Sequence, residues 1–503
     1  ILFQSQGKYN QAREHLEKAL AIRREIGDRK GEATCHEFLG ILLQSQWKYD
    51  QAREHLEKAL AIKLEIGDRN GEATILGILG ILYYLHGKCE KAREYHEKAL
   101  AITLELGDRQ GEATVYGNLG TLFEALGKYS NAREYQEKAL AITIEIGDRK
   151  GEAKSYRNLG ILFQLLGKYD KAREYQEKAL AINLDIGDRN GEATSLGNLG
   201  TLFYLLGKCD KAREYHEKAL ATTIEVGNRQ GEATIYGNLG TLFQALGKYN
   251  NAREYQEKAL AIRLEIGNRN GEAKSYNNLG TLFISLYKYD KAREYLEKAL
   301  AIQIDIGDRI GEAASCGNLG TLFKSLGKYY KAQEYLEKAL AIKIEIGDRN
   351  GEATIYGKLG TLFRLLNEYD KAQEYLRKAL AIQIEIGERY EEATSYGNLG
   401  TLFKSLGKYY KAKEYLEKAL AIKIEIGDRN GEATSYGNLG ALFRLLGEFG
   451  KAREYLEKAL AIQIEIGDRN EEATSYGTLG TVFLSIGKYD KAHEYLEKAL
   501  AIQ

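Results

Sequence analysis

The sequence predicts an all-α fold, a right-handed α-solenoid superhelix of about twelve and a half helix-turn-helix repeats of 40 residues each. Three observations predict it. The 503 residues contain no proline, where average usage would place about 25, so the main helix breaker is missing throughout. Ala-Leu-Ala-Ile or a close variant recurs at 19–22, 59–62, 99–102 and onward to 499–502, always 40 residues apart. A Leu-Gly pair keeps the same register from Leu39-Gly40 to Leu479-Gly480 without insertion or deletion. Twelve 40-residue units with 23 residues over fill the chain. Residues 1–503 therefore read as a single continuous array.

One unit, residues 28–67, shows how the pattern arises. Asp28 is placed to cap a helix running from Arg29 to about Gln46, with Glu32 in its first turn facing the positive end of the helix dipole. Leu39, Leu42 and Leu43 form one apolar stripe on that helix. A turn at Trp47-Lys48, Gly-Lys in most copies, precedes a second helix from about Tyr49 to Ile66. It carries Ala52, Leu56, Ala59, Leu60 and Ile62 as its buried face. Gly67 ends the unit and Asp68 caps the next. Glycine holds that position at all twelve junctions, and Asp or Asn follows in eleven, Glu388 being the exception and a poorer cap. Arg69 and Glu72, three apart and present in every copy, are spaced to pair across a turn.

A lone helix pair cannot bury its own apolar face, so each must stack on its neighbours. Gly40 and Ala52 allow close approach within a unit, and Ala59 allows it toward the next. The expected shape is a superhelix whose concave surface is lined by the first helices. Since Ile1 is not Met and no Met occurs anywhere, the sequence reads as a piece of a longer array, cut within a repeat at both ends.

Leu39-Gly40, an aromatic-bearing turn ending at Tyr49, then Ala52, Leu56 and Ala59 resemble the tetratricopeptide repeat signature along the entire chain. Leu64 stands where the usual 34-residue form ends on proline, and the second helix runs on to Gly67. The 40-residue form, with Gly-Asp-Arg-x-Gly-Glu-Ala and Tyr-His-Glu-Lys-Ala-Leu as at 95–100, is similar to repeats of Pins/LGN-type G-protein signalling modulators. It looks closer still to the long arrays called tetratricopeptide repeat protein 28-like, and comparable arrays precede bacterial CHAT-type or NTPase domains. The resemblance implies protein–protein scaffolding, with a peptide or partner helix held in the groove. No GoLoco segment is present, so binding of heterotrimeric G proteins is not carried over.

The copies also record how the array grew. Residues 321–360 and 401–440 differ only at Gln333/Lys413, Ile355/Ser435 and Lys358/Asn438, and 81–160 resembles 201–280. Growth by copying blocks favours a length-tolerant scaffold over one unique constellation of residues.

Counting from Ala33 as one, positions two, five, six, nine and twelve of the first helix are expected to face the groove. Position six reads Asn118, Asn158, Asn198, Asn238, Asn278, Asn318, Lys358, Asn398 and Asn438, with Phe38, Ile78 and Thr478 at the ends. An amide offers one donor and one acceptor, matching one peptide unit of an extended ligand. Asn is a poor helix former, so eight copies carry a cost. The Asn ladder of O-GlcNAc transferase is a similar arrangement. Glycine precedes this position in nine of twelve units, Gly77 and Gly117 among them, either for a ligand backbone or for close packing of first helices.

Position twelve varies most. Tyr84 and Tyr204 occur in the N-terminal half, and Lys324, Arg364, Lys404 and Arg444 run consecutively in the C-terminal half. That basic run, reinforced by Lys358, predicts preference for an acidic partner segment there, while the N-terminal stretch suits polar or aromatic side chains.

Overall charge points elsewhere than nucleic acid or membrane. Seventy-two Lys and Arg balance 72 Asp and Glu, which gives no general attraction to polyanions. No apolar run approaches the ~18 residues of a membrane helix, and no signal peptide is legible. Four scattered cysteines, Cys35, Cys89, Cys209 and Cys316, and no Asn-x-Ser/Thr sequon suggest a reducing, cytoplasmic setting. Cys89/His96 and Cys209/His216 are seven apart and share a helix face, but the cysteines replace a recurrent Tyr or Phe and read as small core residues. The two pairs lie three units apart, too far to make one tetrahedral metal site. No nucleotide-binding, hydrolase or zinc-protease motif occurs, so no catalytic residue, metal or cofactor is expected. The expected function is a non-enzymatic scaffold binding extended peptides or partner helices. Two alternatives are a sensory or autoinhibitory portion of a larger signalling protein, and a structural spacer whose uncapped ends associate end to end.

Overall fold

The computed structural model describes residues 9–502, and within them every element is an α-helix. After α1 (Tyr9–Glu25), pairs follow one another, beginning with α2 (Arg29–Ser45) and α3 (Tyr49–Glu65), then α4 (Arg69–Leu85) and α5 (Cys89–Leu106), and ending with α24 (Arg469–Ser485) and α25 (Tyr489–Ile502). Even-numbered helices are the first helices of their units and odd-numbered ones the second.

Local chemistry sets the ends. The Asp28 carboxylate accepts from Gly31 N at 2.8 Å. The cap recurs at the start of each later first helix, with Asn228 and Asn268 serving equally well. Glu388 caps too, accepting from Glu391 N at 2.5 Å, so the longer side chain fills the expected gap. At the other end, Gly67 turns the chain with φ 68°. Asp68 N donates to Lys63 O at 2.9 Å and Gly67 N to Leu64 O at 3.2 Å, the two bonds of a Schellman motif. Arg69 donates to Glu72 at 2.7 Å, as its spacing suggests, and its other terminal nitrogen reaches Glu105 at 2.6 Å, near the end of the second helix of the same unit. One guanidinium thus clamps both helices.

Close approach within a unit depends on Gly40 and its equivalents. A Cβ at Gly40 would lie 2.6 Å from Leu56 Cγ and 3.3 Å from the Ala52 carbonyl. Nothing larger than glycine fits. Leu39, Leu42, Ala52, Leu56 and Ala59 are fully buried, and a Phe–Tyr stack such as Phe163–Tyr175, 5.3 Å between centroids, joins the two helices of most units. Successive first helices approach one another along the array, so they crowd the inside of the curve.

The curve closes on itself. Asn350 Nδ2 donates to the Tyr129 hydroxyl at 3.1 Å across 221 residues, about five and a half units. Asn470 and Tyr249 repeat that spacing. A Cβ at Gly167 would come within 3.1 Å of Ile426 Cγ2, and one at Gly347 within 3.3 Å of Leu126 Cδ2. Ala393, Ile422 and Ile426 share a core cluster with Leu159, Phe163 and Tyr169. The upper rim of the first coil, made of the turns inside units, therefore meets the lower rim of the second coil, made of the junctions between units. Ile346 at this seam is 4% exposed, whereas its equivalent Ile186, on the open lower rim of the first coil, is 38% exposed.

Candidate functional site

The inner face is built from one side of each first helix. Position six lies half-buried in every unit from Asn118 and Asn158 through Asn198, Asn238, Asn278, Asn318, Lys358 and Asn398 to Asn438. Four of these amides donate to another side chain, three of them to a glutamine. The Nδ2 groups of Asn158, Asn198 and Asn278 donate to Gln136, Gln176 and Gln256 at 3.3, 3.4 and 3.2 Å. Each Gln lies on the second helix of the preceding unit and in turn donates to a position-five carbonyl: Gln136 to Gly117 O at 3.0 Å, Gln176 to Arg157 O at 3.0 Å, Gln256 to Gly237 O at 2.9 Å. This relay orients the Asn by its Nδ2 donor and leaves its carbonyl outside the relay. Asn318 is held differently, donating to Asn277 Oδ1 at 3.3 Å. Where the second helix carries Leu416 in place of Gln, the equivalent Asn438 has no such acceptor.

Six of the nine position-five glycines face open space. A Cβ at Gly77, Gly117, Gly357, Gly397, Gly437 or Gly477 would meet nothing within 4 Å outside its own helix. Close packing of neighbouring first helices explains Gly197, whose Cβ would strike Ile235 at 2.9 Å, but not these six.

Position twelve forms a continuous file. Lys324, Arg364, Lys404 and Arg444 are half-buried. Burial first, and then the neighbouring guanidinium of Arg364, holds the Lys324 ammonium below the usual lysine range; Lys404 is lowered by burial and by Arg364 and Arg444. Lys358 is lowered by burial and then by Lys324, which brings position six of one unit beside position twelve of the one before. These cations repel one another in a partly desolvated strip. In the N-terminal half, burial pushes the Tyr84 hydroxyl up to about 12, with Glu124 adding to the effect. Burial likewise raises Tyr204. Burial alone lifts the Glu124 carboxyl to about 7.

Two side chains absent from the expected set join this face. Lys154 and Arg157 replace the usual Thr and Gly at positions two and five, and both are lowered by burial. With Gly117 and Asn158 they line a hollow of 400 Å³. Their departure from the repeat consensus was the signal in the sequence. A larger hollow, 1490 Å³, lies away from the Asn ladder, in the seam between coils beside Leu166, Leu206, Ile386 and Ile426.

The cysteines and histidines take other places. Cys35, Cys89 and Cys316 are buried, and Cys209 is half-buried. His96 and His216 stand at the position of Gln136, buried, each pushed down by desolvation to about 4. No helix among the described residues is long and apolar enough to cross a membrane.

Comparison with known proteins agrees with this geometry. The family model described as tetratricopeptide repeat matches residues 1–65, 48–105, 71–145, 111–185, 151–225, 231–305, 310–385, 391–465 and 446–503. No curated protein sequence matches. Among solved structures, a Rap protein complexed with competence and sporulation factor is 14% identical with a TM-score of 0.50, covering 71% of this chain and 99% of its own. BtubC from P. vanneervenii is 26% identical over 42% of this chain and 89% of its own, TM-score 0.37. A signal transduction ATPase with a tetratricopeptide repeat sensor from Pyrococcus horikoshii is 18% identical over 69% of this chain and 52% of its own, TM-score 0.44. Matched by the family model from end to end, the chain belongs to the tetratricopeptide repeat family, whose arrays are protein-interaction scaffolds.

Proposed function

We propose that the inner face holds an extended polypeptide lying along the first helices, and that its C-terminal half prefers an acidic segment. The observation that carries this reading is the row of position-five glycines. A mid-helix glycine costs about 1 kcal/mol relative to alanine, and six of them are flanked by open space on the groove side. A bound backbone lying against them makes use of that space. Elsewhere along the same face Asn158, Asn198 and Asn278 turn their donors to Gln136, Gln176 and Gln256, which leaves their carbonyls to accept from its amides. Arg364 lowers the proton affinity of Lys324 and Lys404, Arg444 that of Lys404 and Lys324 that of Lys358, and an acidic ligand relieves that repulsion.

The test uses a fluorescently labelled peptide of alternating Glu and small apolar residues, and its Lys counterpart. Binding of the acidic peptide should weaken at least tenfold when Lys324, Arg364, Lys404 and Arg444 are all changed to Glu, and should fall with added salt. Equal affinity for both peptides, or no effect of the quadruple change at low salt, would refute the acidic preference. Gly397→Ala with Gly437→Ala tests the backbone contact separately: unchanged affinity would remove the role given to glycine.

A further inference from the structure

The seam between coils has an unoccupied counterpart on each open rim. In the turn at Trp47 a bulky residue takes the glycine position, with φ 64° in the left-handed region that disfavours side chains. Its ring packs with Ala273, Ile302 and Ile306 of the second coil and meets Tyr49 edge-on at 5.8 Å. The strain there is offset by the seam. Tyr287 occupies the same place six units later, with φ 57°, and meets Tyr289 edge-on at 6.2 Å. Among the described residues it stands open, 78% exposed. Leu366 and Leu406 lie on the same rim, equivalents of Leu126 and Leu166, which meet the junctions at Gly347 and Gly387 in the seam. At the other end of the molecule the lower rim of the first coil exposes Ile26, Ile66 and Ile146, equivalents of the buried Ile306, Ile346 and Ile426. Both halves of an apolar contact that the chain makes with itself are thus displayed again, unpaired.

We propose that these rims bind each other between copies of this chain, so that Tyr287 and its neighbours on one molecule receive Ile26, Ile66 and Ile146 of a second. The occupant follows from continuity: the second copy offers the same junction isoleucines that already cover Trp47, Leu126 and Tyr169 within one molecule. The contact is heterologous, one rim against the opposite rim, and it extends into chains of molecules. It runs along the rims of the coil, a different surface from the helix ends at either terminus.

Sedimentation analysis of the whole chain over a wide concentration range tests this. The wild type should form dimers and longer species as concentration rises. Tyr287→Gly combined with Leu366→Asp and Leu406→Asp removes the upper rim, and Ile26→Glu with Ile66→Glu and Ile146→Glu removes the lower. Each variant alone should remain monomeric, and an equimolar mixture should form 1:1 dimers and nothing larger, since each partner keeps one working rim. None of these side chains is buried, and Tyr287→Gly relieves a strained turn, so a lower melting temperature in the upper-rim variant would argue against the reading of strain. A wild type that stays monomeric at all concentrations overturns the proposal. So does assembly of both variants as readily as the wild type, which would place the contact at the helix ends.

Discussion

Gly400 lies so close to Leu416 that a Cβ there would stand 2.7 Å from its Cγ and 3.2 Å from the Ala412 carbonyl, while Gly397, one turn earlier, faces open space. Two alanines three residues apart should therefore act in opposite directions. Gly400→Ala should cost about 1–3 kcal/mol by forcing the two helices of its unit apart. Gly397→Ala should stabilise by about 0.5–1 kcal/mol through helix propensity alone. Denaturant unfolding of the two variants decides it.

Acid should weaken the array through His96 and His216. Their neutral rings are favoured in the folded chain, where burial holds each near 4 against an ordinary value of 6.5. That contribution is present above pH 6.5 and is lost as pH falls toward 4, at about 3 kcal/mol each. Replacing both by Gln restores the residue found at the same place in Gln136, Gln176 and Gln256. The double variant should lose less melting temperature than the wild type between pH 6.5 and 4, and the two should converge above neutrality.

Glu124 should behave in the reverse sense. Burial raises its carboxyl from 4.5 to about 7, so the protonated form is favoured in the fold. Stability tied to it is complete below pH 4.5 and lost as pH rises through 7. Glu124→Gln should stabilise by about 1–2 kcal/mol at pH 8 and by little at pH 4, readable in paired thermal melts.

The seam gives a fourth contrast. Ile426→Ala, buried against the Gly167 turn, should cost about 2–4 kcal/mol and raise the radius of gyration in solution scattering. Ile186→Ala changes the equivalent residue on the open rim and should cost under about 1 kcal/mol with no change of radius. Equal effects would mean that the coils part in solution.

Most of the helical architecture could be read from the sequence because the repeat imposes it. Asp28, Gly67 and Arg69 repeat at fixed offsets, and each offset maps onto one local bond. What repeats identically cannot reveal where units far apart meet. Ile186 and Ile426 sit in near-identical contexts, yet one faces solvent and the other a second coil; the difference depends on accumulated curvature over more than five units. The same limit applied to Asn158. Its residue type pointed to an amide on the inner face, but its partner Gln136 is 22 residues earlier on another helix. Lys154 and Arg157 break the consensus visibly, but a break in a repeat does not say whether the side chain is buried or exposed.

The closed seam also changes how a ligand reaches the inner face. A loose spiral admits a strand from the side at any point along its length. Here Ile346 and Ile426, wedged against the turns at Gly87 and Gly167, bar that lateral route over much of the first coil. Under the proposed function, a polypeptide would have to thread from an open mouth or wait for the coils to separate, so its capture and release would be timed by the molecule's breathing as well as by the strength of its contacts. Long partners with bulky folded ends would then be sorted out by topology before any side chain inspects them.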